Sequence, residues 1–235
     1  MILITRAIED ALPLQEELAK LNIESHIESL FNLQPLSFDC SILVGARIVV
    51  TSKNAIRALS LLDASKDLNI YTMTDNIAKF AKDLEFFNVS SCGCNTVEEL
   101  EKHIISTFDK SNRFIYLSGM EITRDIVFIC NAYGFTFERL ICYKMNAREK
   151  FSEVLVELLR TARVKCISIF SRRAAVVCRS LLTDYRFEPN LFHYFLMSNR
   201  VASVLDYPNI HVPPFPTQSA LIDIIRNHYY TEQEN

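Results

Sequence analysis

One stretch of the chain, residues 48–59, changes abruptly from the pattern of a buried strand to that of a helix. Its first residues form an unbroken β-branched run, which is typical of a strand covered on both faces. After Ser52 the apolar residues recur at helical spacing, and serine is a favoured helix N-cap. The stretch therefore predicts a strand, a tight turn and a helix, which is the repeating unit of an α/β fold.

The same pattern returns 119 residues later, where Ser171 follows a second apolar strand and precedes a second helical segment. Two further strand-to-helix turns repeat in the same order. Thr74 matches Ser198 at an offset of 124 residues, and Thr96 matches Thr217 at an offset of 121. Three matched pairs in the same order favour a duplicated α/β unit.

The turns in the middle of the chain are evenly spaced, because Ser52, Thr74, Thr96 and Ser118 lie 22 residues apart. A strand of about five residues, a helix of about ten and two short loops fit that period. Strands that alternate with helices in this way form parallel sheets with right-handed crossovers. We therefore expect two α/β/α domains, each built on a parallel sheet.

The last block of the chain has one turn fewer than the middle block, and the N-terminal strand that ends at Thr5-Arg6 supplies the missing unit. One domain is therefore expected to be discontinuous. The predicted parts are a first domain (1–34 plus 148–235), an inserted second domain (41–137) and two interdomain linker strands (35–40 and 138–147). Two adjacent crossings between domains predict a hinge with a cleft beside it.

The overall charge is close to neutral, since 25 basic and 28 acidic residues give a net charge of −3. A general nucleic-acid-binding protein would be strongly basic, so we expect no nucleic-acid partner. No apolar run reaches the roughly 18 residues that span a bilayer, and residues 1–4 are too short a run for a signal peptide. We therefore expect a cytoplasmic protein without a membrane partner, whose seven cysteines are reduced.

Common cofactor and metal motifs are missing from the sequence. The four glycines form no glycine-rich phosphate loop, and no Gly-x-Ser-x-Gly elbow of a serine hydrolase occurs. Cys92-Gly93-Cys94 has no second cysteine cluster. The five histidines, at positions 26, 103, 193, 211 and 228, show no paired ligand spacing. We therefore expect neither a zinc site nor a nucleotide held by a glycine-rich turn.

The turns themselves are the candidate binding site, because ligands of open parallel sheets bind where the strands end. Backbone N–H groups and the helix dipole at such turns attract anions. Several turns also carry a basic residue beside a hydroxyl group, namely Thr5-Arg6, Ser52-Lys53, Ser171-Arg172-Arg173 and Ser198-Asn199-Arg200. The pattern indicates an anionic ligand, and the alternative is a set of N-caps beside solvated surface charges.

Tyr143 is the candidate for acid catalysis, because it lies in the second predicted linker strand beside the expected cleft. Its phenol could donate a proton to a leaving hydroxyl group. The residues alone favour the alternative, in which Tyr143 is an ordinary packed tyrosine.

Taken together, these motifs resemble the uroporphyrinogen-III synthase family, whose members close the tetrapyrrole ring. The resemblance extends over nearly the whole chain. It is carried by residues 2–6, the turn Thr51-Ser52-Lys53-Asn54-Ala55, Leu117-Ser118-Gly119 with Asp125, Ile141-Cys142-Tyr143, residues 170–174, and Pro216-Thr217 with Leu221. Ile77 and Val201 depart from the family pattern, which has threonine at these positions in many members.

The resemblance implies two α/β domains joined by a two-stranded ladder and a reaction of haem biosynthesis. Hydroxymethylbilane would lose water and cyclise to uroporphyrinogen III with inversion of ring D through a spiro intermediate, without a cofactor. Such an enzyme is a lyase of the hydro-lyase type. We expect a monomer, for which transient contact with hydroxymethylbilane synthase is a further expectation.

The resemblance also assigns roles to residues. Tyr143 would assist the loss of the hydroxyl group. The implied substrate-binding residues are Thr5, Arg6, Thr51, Ser52, Lys53, Asn54, Thr74, Ser118, Gly119, Ser171, Arg172, Arg173, Ser198, Pro216 and Thr217. The alternative from another class is a non-catalytic two-domain cleft protein that binds an anionic small molecule, for which Tyr143 would not be needed.

Overall fold

The computed structural model describes residues 1–233, which form two compact units. The first unit combines residues 1–32 with residues 147–233, and the second unit is Leu33–Asn146. The first unit is therefore assembled from both ends of the chain, and the second is an insertion. Within residues 1–233, no helix combines the length and the apolar character that crossing a membrane requires.

Strands and helices alternate along most of the chain. The strands are β1 (Ile2–Ile4), β2 (Ser25–Ile27), β3 (Phe31–Pro35), β4 (Arg47–Val50), β5 (Asn69–Thr72), β6 (Val89–Ser91), β7 (Arg113–Gly119), β8 (Thr136–Ala147), β9 (Cys166–Ile169), β10 (His193–Leu196) and β11 (Ile210–His211). The helices are α1 (Ile8–Lys20), α2 (Lys53–Leu61), α3 (Asp75–Asp83), α4 (Val97–Thr107), α5 (Ile126–Ala132), α6 (Glu153–Arg160), α7 (Arg172–Asp184), α8 (Asn199–Ala202) and α9 (Gln218–Gln233). Within the described residues, two short 3-10 helices lie at Cys40–Leu43 and Pro189–Leu191.

The first unit contains a parallel sheet in the order β11-β10-β9-β1-β2. The N-terminal strand β1 lies between β9 and β2, so the first residues of the chain complete a sheet formed largely by its second half. Leu3 packs with α6, α7 and α8 on one face, and Ile2 and Ile4 pack with α1 and α9 on the other. This unit is therefore an α/β/α sandwich.

The second unit contains a sheet in the order β3-β8-β7-β4-β5-β6, in which the strands from β8 to β6 are parallel. Helices α2 and α3 cover one face, and α4 and α5 cover the other. Ile48 and Val50 face the first layer, Val49 faces the second, and all three are buried. The β-branched run is thus the doubly covered strand that the sequence predicts.

The edge pair of strands, β3 and β8, is antiparallel. The backbone N–H of Arg148 donates to Leu30 and that of Leu36 donates to Cys142, each at 2.9 Å, so the numbering runs in opposite directions. Strand β3 begins and ends earlier than the linker predicted at 35–40. Residues after Leu36 are irregular because Asp39 caps the following 3-10 helix, where its carboxylate accepts from the N–H of Ser41 at 2.9 Å.

Most of the predicted strand-to-helix turns are helix N-caps. In each, a side-chain hydroxyl accepts a hydrogen bond of 3.1–3.3 Å from a backbone N–H of the first helical turn, as expected for Ser52, Thr74, Thr96, Ser171 and Thr217. Ser198 also precedes a helix, the four-residue α8, but its side chain makes no capping hydrogen bond. The periodic pattern therefore located these turns correctly.

The turn predicted at Ser118 is wrong. Ser118 lies inside β7, and α5 begins eight residues later, at Ile126. The carboxylate of Asp125 is the N-cap, accepting from the N–H of Phe128 at 3.0 Å. A 22-residue spacing could not show this, because β7 is longer than the strands from which the period was counted.

Glu28, directly after β2, is a buried carboxylate that links three parts of the first unit. It accepts hydrogen bonds from the N–H and the hydroxyl group of Ser152, each at 2.9 Å, and forms an ion pair with Arg148. Ser152 is also the N-cap of α6, where its hydroxyl accepts from Leu155 at 3.2 Å. Because a buried charge is costly without such partners, the network holds the chain where it re-enters this unit.

We expect Glu28→Gln to lower the free energy of unfolding by about 2 kcal/mol, because a neutral amide cannot accept all three hydrogen bonds. Glu24→Gln is the matched control, since Glu24 pairs with Arg163 at a solvent-exposed position and should cost less than about 0.5 kcal/mol. Urea unfolding followed by circular dichroism measures both. Equal losses for the two variants would contradict the role given to Glu28.

Candidate functional site

In the second unit, the candidate site is built around Tyr143, which lies in β8 beside the end of β7. Ser118 pairs with Ile141, but the next residue, Gly119, pairs with Tyr143, so the register shifts by one residue at this point. The extra residue on β8 is Cys142, which makes a β-bulge. Bulges redirect the side chains that follow them, and this one sets the ring of Tyr143 against Gly119.

Gly119 is required for this contact. A Cβ atom at this position would lie 2.8 Å from both Cε2 and Cζ of Tyr143, which is closer than carbon atoms approach one another. Any other residue would therefore displace the tyrosine ring. The glycine that the family resemblance marks as a binding residue serves here to make room for Tyr143.

The phenol of Tyr143 is held in its protonated form. Burial raises the pKa of Tyr143 above its ordinary value of 10, and a hydrogen bond with the side chain of Ser52 lowers it in part. Only 9% of the residue is exposed. At neutral pH the group is therefore a neutral hydrogen-bond donor whose oxygen is already in contact with a second hydroxyl group.

Ser52 connects this tyrosine to helix α2. Its oxygen caps the helix by accepting from the N–H of Asn54 at 3.1 Å, and its side chain also bonds to Tyr143. The flanking residues are anchored as well. The hydroxyl of Thr51 lies 2.9 Å from that of Tyr116, and the ammonium of Lys53 lies 5.6 Å from the ring centre of Phe80.

Two other predicted binding residues of this unit are less open to a ligand. Ser118 is buried, and its hydroxyl both donates to the carbonyl of Gly119 at 3.1 Å and accepts from Arg139 at 2.8 Å. Thr74 is half-buried and caps α3. Ile77, at a position where many family members have threonine, is buried in the core of this unit.

Arg139 is a residue of this site that the sequence analysis did not single out. Besides Ser118, its guanidinium donates to the carbonyl oxygens of Gly119 at 2.8 Å and Met120 at 2.9 Å. It thereby holds the end of β7, against which the tyrosine ring rests. The only signal in the sequence was a basic residue within the polar–apolar alternation of β8.

In the first unit, the predicted residues also follow the ends of strands. Thr5 is buried, and its hydroxyl donates to the carbonyl of Ser168 at 2.7 Å, so it bonds within the sheet. Arg6 is half-buried, with its guanidinium 4.6 Å from the ring centre of Phe170 and 3.4 Å from the side-chain oxygen of Gln218. Thus Arg6 is held in a defined position, as a binding residue needs to be.

Two exposed arginines at the start of α7 line a groove of about 450 Å³ in this unit. The other residues that line it are apolar: Phe31, Ala147, Val176, Val177 and Val204. The guanidinium of Arg173 lies 5.0 Å from the ring centre of Phe31. A groove with guanidinium groups beside apolar walls suits an organic carboxylate.

The remaining predicted residues of the first unit lie near the start of α8 and α9. Ser198 is half-buried, whereas Pro216 and Thr217 are exposed. The hydroxyl of Thr217 accepts from the N–H of Ala220 and lies 3.2 Å from that of Ser219. Val201, at the second position where many family members have threonine, is buried in the core of this unit.

Comparison with known proteins agrees with the family resemblance of the sequence motifs. Residues 13–223 match the family model described as uroporphyrinogen-III synthase HemD. Among solved structures, the uroporphyrinogen-III synthetase of Helicobacter pylori is similar with a TM-score of 0.63 at 14% identity, covering 95% of this chain and 97% of its own. A uroporphyrinogen III synthase mutant of Thermus thermophilus has a TM-score of 0.48 at 10% identity, with 98% of each chain covered. A search of curated protein sequences finds no significant match.

We expect Ser52→Ala to raise the pKa of Tyr143 further, because the hydrogen bond with Ser52 lowers it in the intact protein. The matched control is Ser171→Ala, which removes the equivalent N-cap in the other unit. Each variant should lose about 1 kcal/mol of stability from its cap. Titration of ¹³C-labelled tyrosine by NMR at alkaline pH measures the shift. If both substitutions shifted the pKa of Tyr143 equally, the hydrogen bond with Ser52 would not be what lowers that pKa.

Proposed function

The chain belongs to the uroporphyrinogen-III synthase family of enzymes, and from this membership we propose that it converts hydroxymethylbilane to uroporphyrinogen III in haem biosynthesis. The reaction eliminates water and closes the macrocycle with ring D inverted, which makes the enzyme a lyase. The observation that supports this chemistry most directly is the contact of Tyr143 with Ser52 and Gly119, because it presents a protonated phenol next to a second hydroxyl group.

The proposed role of Tyr143 follows from what the leaving group needs. The hydroxyl group of the substrate departs with the carbon–oxygen electron pair, and a hydrogen bond to its oxygen stabilises the charge that develops. Tyr143 would donate this hydrogen bond, and Ser52 would support the phenol oxygen as negative character grows on it. The electron-rich pyrrole drives the departure, so most of the remaining catalysis is positioning of the reacting carbons.

We propose that the carboxylates of the substrate bind to side chains and helix N-termini at the strand ends of each unit. Helix N-termini and guanidinium groups are the protein groups best suited to carboxylates. The proposed contacts are Thr51, Ser52, Lys53, Asn54, Thr74 and Gly119 in the second unit, and Arg6, Ser171, Arg172, Arg173, Ser198, Pro216 and Thr217 in the first. For Thr5 and Ser118, whose hydroxyl groups bond within their sheets, we propose a positioning role.

The location and the assembly state belong to the same proposal. Within residues 1–233 none of the seven cysteines forms a disulfide, and burial raises the pKa of Cys130 and Cys142 to about 12. Buried thiols of this kind suit the reducing cytoplasm, where we propose that the enzyme acts. A monomeric state and a transient contact with hydroxymethylbilane synthase stay predictions.

The activity is tested by supplying freshly made hydroxymethylbilane, oxidising the products and separating the porphyrin isomers. We expect isomer III in excess over isomer I, because the spontaneous reaction closes the ring without inverting ring D. A reaction without protein gives the spontaneous background. Formation of isomer I alone, despite binding of the substrate, would instead support a non-catalytic binding protein.

We expect Tyr143→Phe to lower kcat at least tenfold while KM changes little, because the lost hydrogen bond acts on the leaving group rather than on the carboxylates. Tyr133→Phe is the control, since Tyr133 is exposed and follows α5. Circular dichroism verifies that both variants fold. Unchanged kinetics for Tyr143→Phe would show that the hydroxyl group of Tyr143 is not needed for catalysis and that its ring only packs in the core.

A further inference from the structure

Three of the five histidines come together in the first unit, although the sequence shows no ligand spacing among them. His193, His211 and His228 are separated by 18 and 17 residues along the chain. In the structure, one ring nitrogen from each lies within 4.8 Å of the other two. The lack of ligand spacing in the sequence did not show this cluster, because spacing along the chain does not report the pairing of strands or the packing of a distant helix.

The fold places these side chains on one face of the sheet. Strands β10 and β11 are parallel with Phe195 opposite His211, and His193 lies two residues before Phe195, so all three side chains point to the same face. Helix α9 covers that face with Leu221 and Ile225. His228 lies seven residues after Leu221 and three after Ile225, which puts it on the same side of the helix.

The distances suit a shared ligand. Nδ1 of His193 lies 3.2 Å from Nε2 of His211, and the ring centre of His228 is 4.3 Å from that of His193 and 5.3 Å from that of His211. Zinc–nitrogen bonds of about 2.0–2.1 Å in a tetrahedral site place ligand nitrogens about 3.4 Å apart. The nitrogen separation between His193 and His211 is already close to that value.

The surroundings limit what the cluster can bind. All three histidines are half-buried, and the ring of Phe195 packs 4.9 Å from that of His211 and 5.4 Å from that of His228. Imidazole nitrogens bind zinc and neighbouring transition metals, whereas magnesium and calcium prefer oxygen ligands.

We propose that His193, His211 and His228 form a binding site for one divalent transition-metal ion of the zinc type, with three imidazole ligands and a fourth position open to water. His193 is the first residue of β10, whereas the candidate substrate contacts follow the carboxyl ends of the strands. The proposed role is structural. An ion here would link the last turns of α9 to β11, a two-residue strand at the edge of the sheet.

The test uses the tag-free full chain after removal of metals with a chelator. Calorimetric titration with Zn²⁺ should show one ion bound per chain. Titration with Co²⁺ should give the intense visible absorption of a tetrahedral site. Because an ion that binds only the folded chain stabilises it, Zn²⁺ at about 100 times its Kd should raise the Tm by about 5–10 °C.

His211→Ala and His228→Ala should each weaken Zn²⁺ binding at least tenfold and so, at the same Zn²⁺ concentration, remove about half or more of the rise in Tm. His103→Ala, which alters a half-buried histidine of α4 in the second unit, should leave both unchanged. If an alanine variant fails to fold, His228→Gln keeps the side-chain volume and replaces it in the same measurements. The proposal is overturned if the intact chain binds no Zn²⁺, or if these variants bind it as tightly as the intact chain.

Discussion

Burial of a parallel sheet on both faces is the constraint on which the rest of this structure depends. Strands covered by helices on both sides consist of nearly uninterrupted apolar residues, as in Ile48, Val49 and Val50. Polar groups are then confined to the ends of the strands, where the backbone turns into the next helix. The repeated Ser and Thr N-caps and the basic residues beside them lie at these ends for that reason.

Within the second unit, one irregularity turns this general scaffold into a specific site. The β-bulge at Cys142 changes the register between β7 and β8, and the absence of a side chain at Gly119 lets the ring of Tyr143 lie against the backbone. Arg139 then holds the carbonyl groups at the end of β7. The tyrosine is therefore positioned by backbone geometry, and its protonated state follows from its burial.

Much of the fold could be predicted because its signals are local. A cap such as Ser52 or Ser171 is recognisable from the change of period around it, and these predictions are confirmed. Ser118 has the same kind of neighbours, yet it bonds to Arg139, 21 residues further along the chain, and remains within its strand. That pairing depends on strand register across the sheet, which the spacing of turns does not contain.

The sequence alone determined the alternation of strands and helices, the doubly buried strands and the places where most helices begin. The reason is that apolar side chains recur every 2 residues in a strand and every 3.6 residues in a helix, and both patterns are contained in a short local segment. Only the tertiary structure decided which side chains meet. Gly119 reaches Tyr143, and His193 reaches His211 and His228, through strand pairing and helix packing. Such contacts join segments far apart in the chain, so their chemistry becomes visible only when the sheets are assembled.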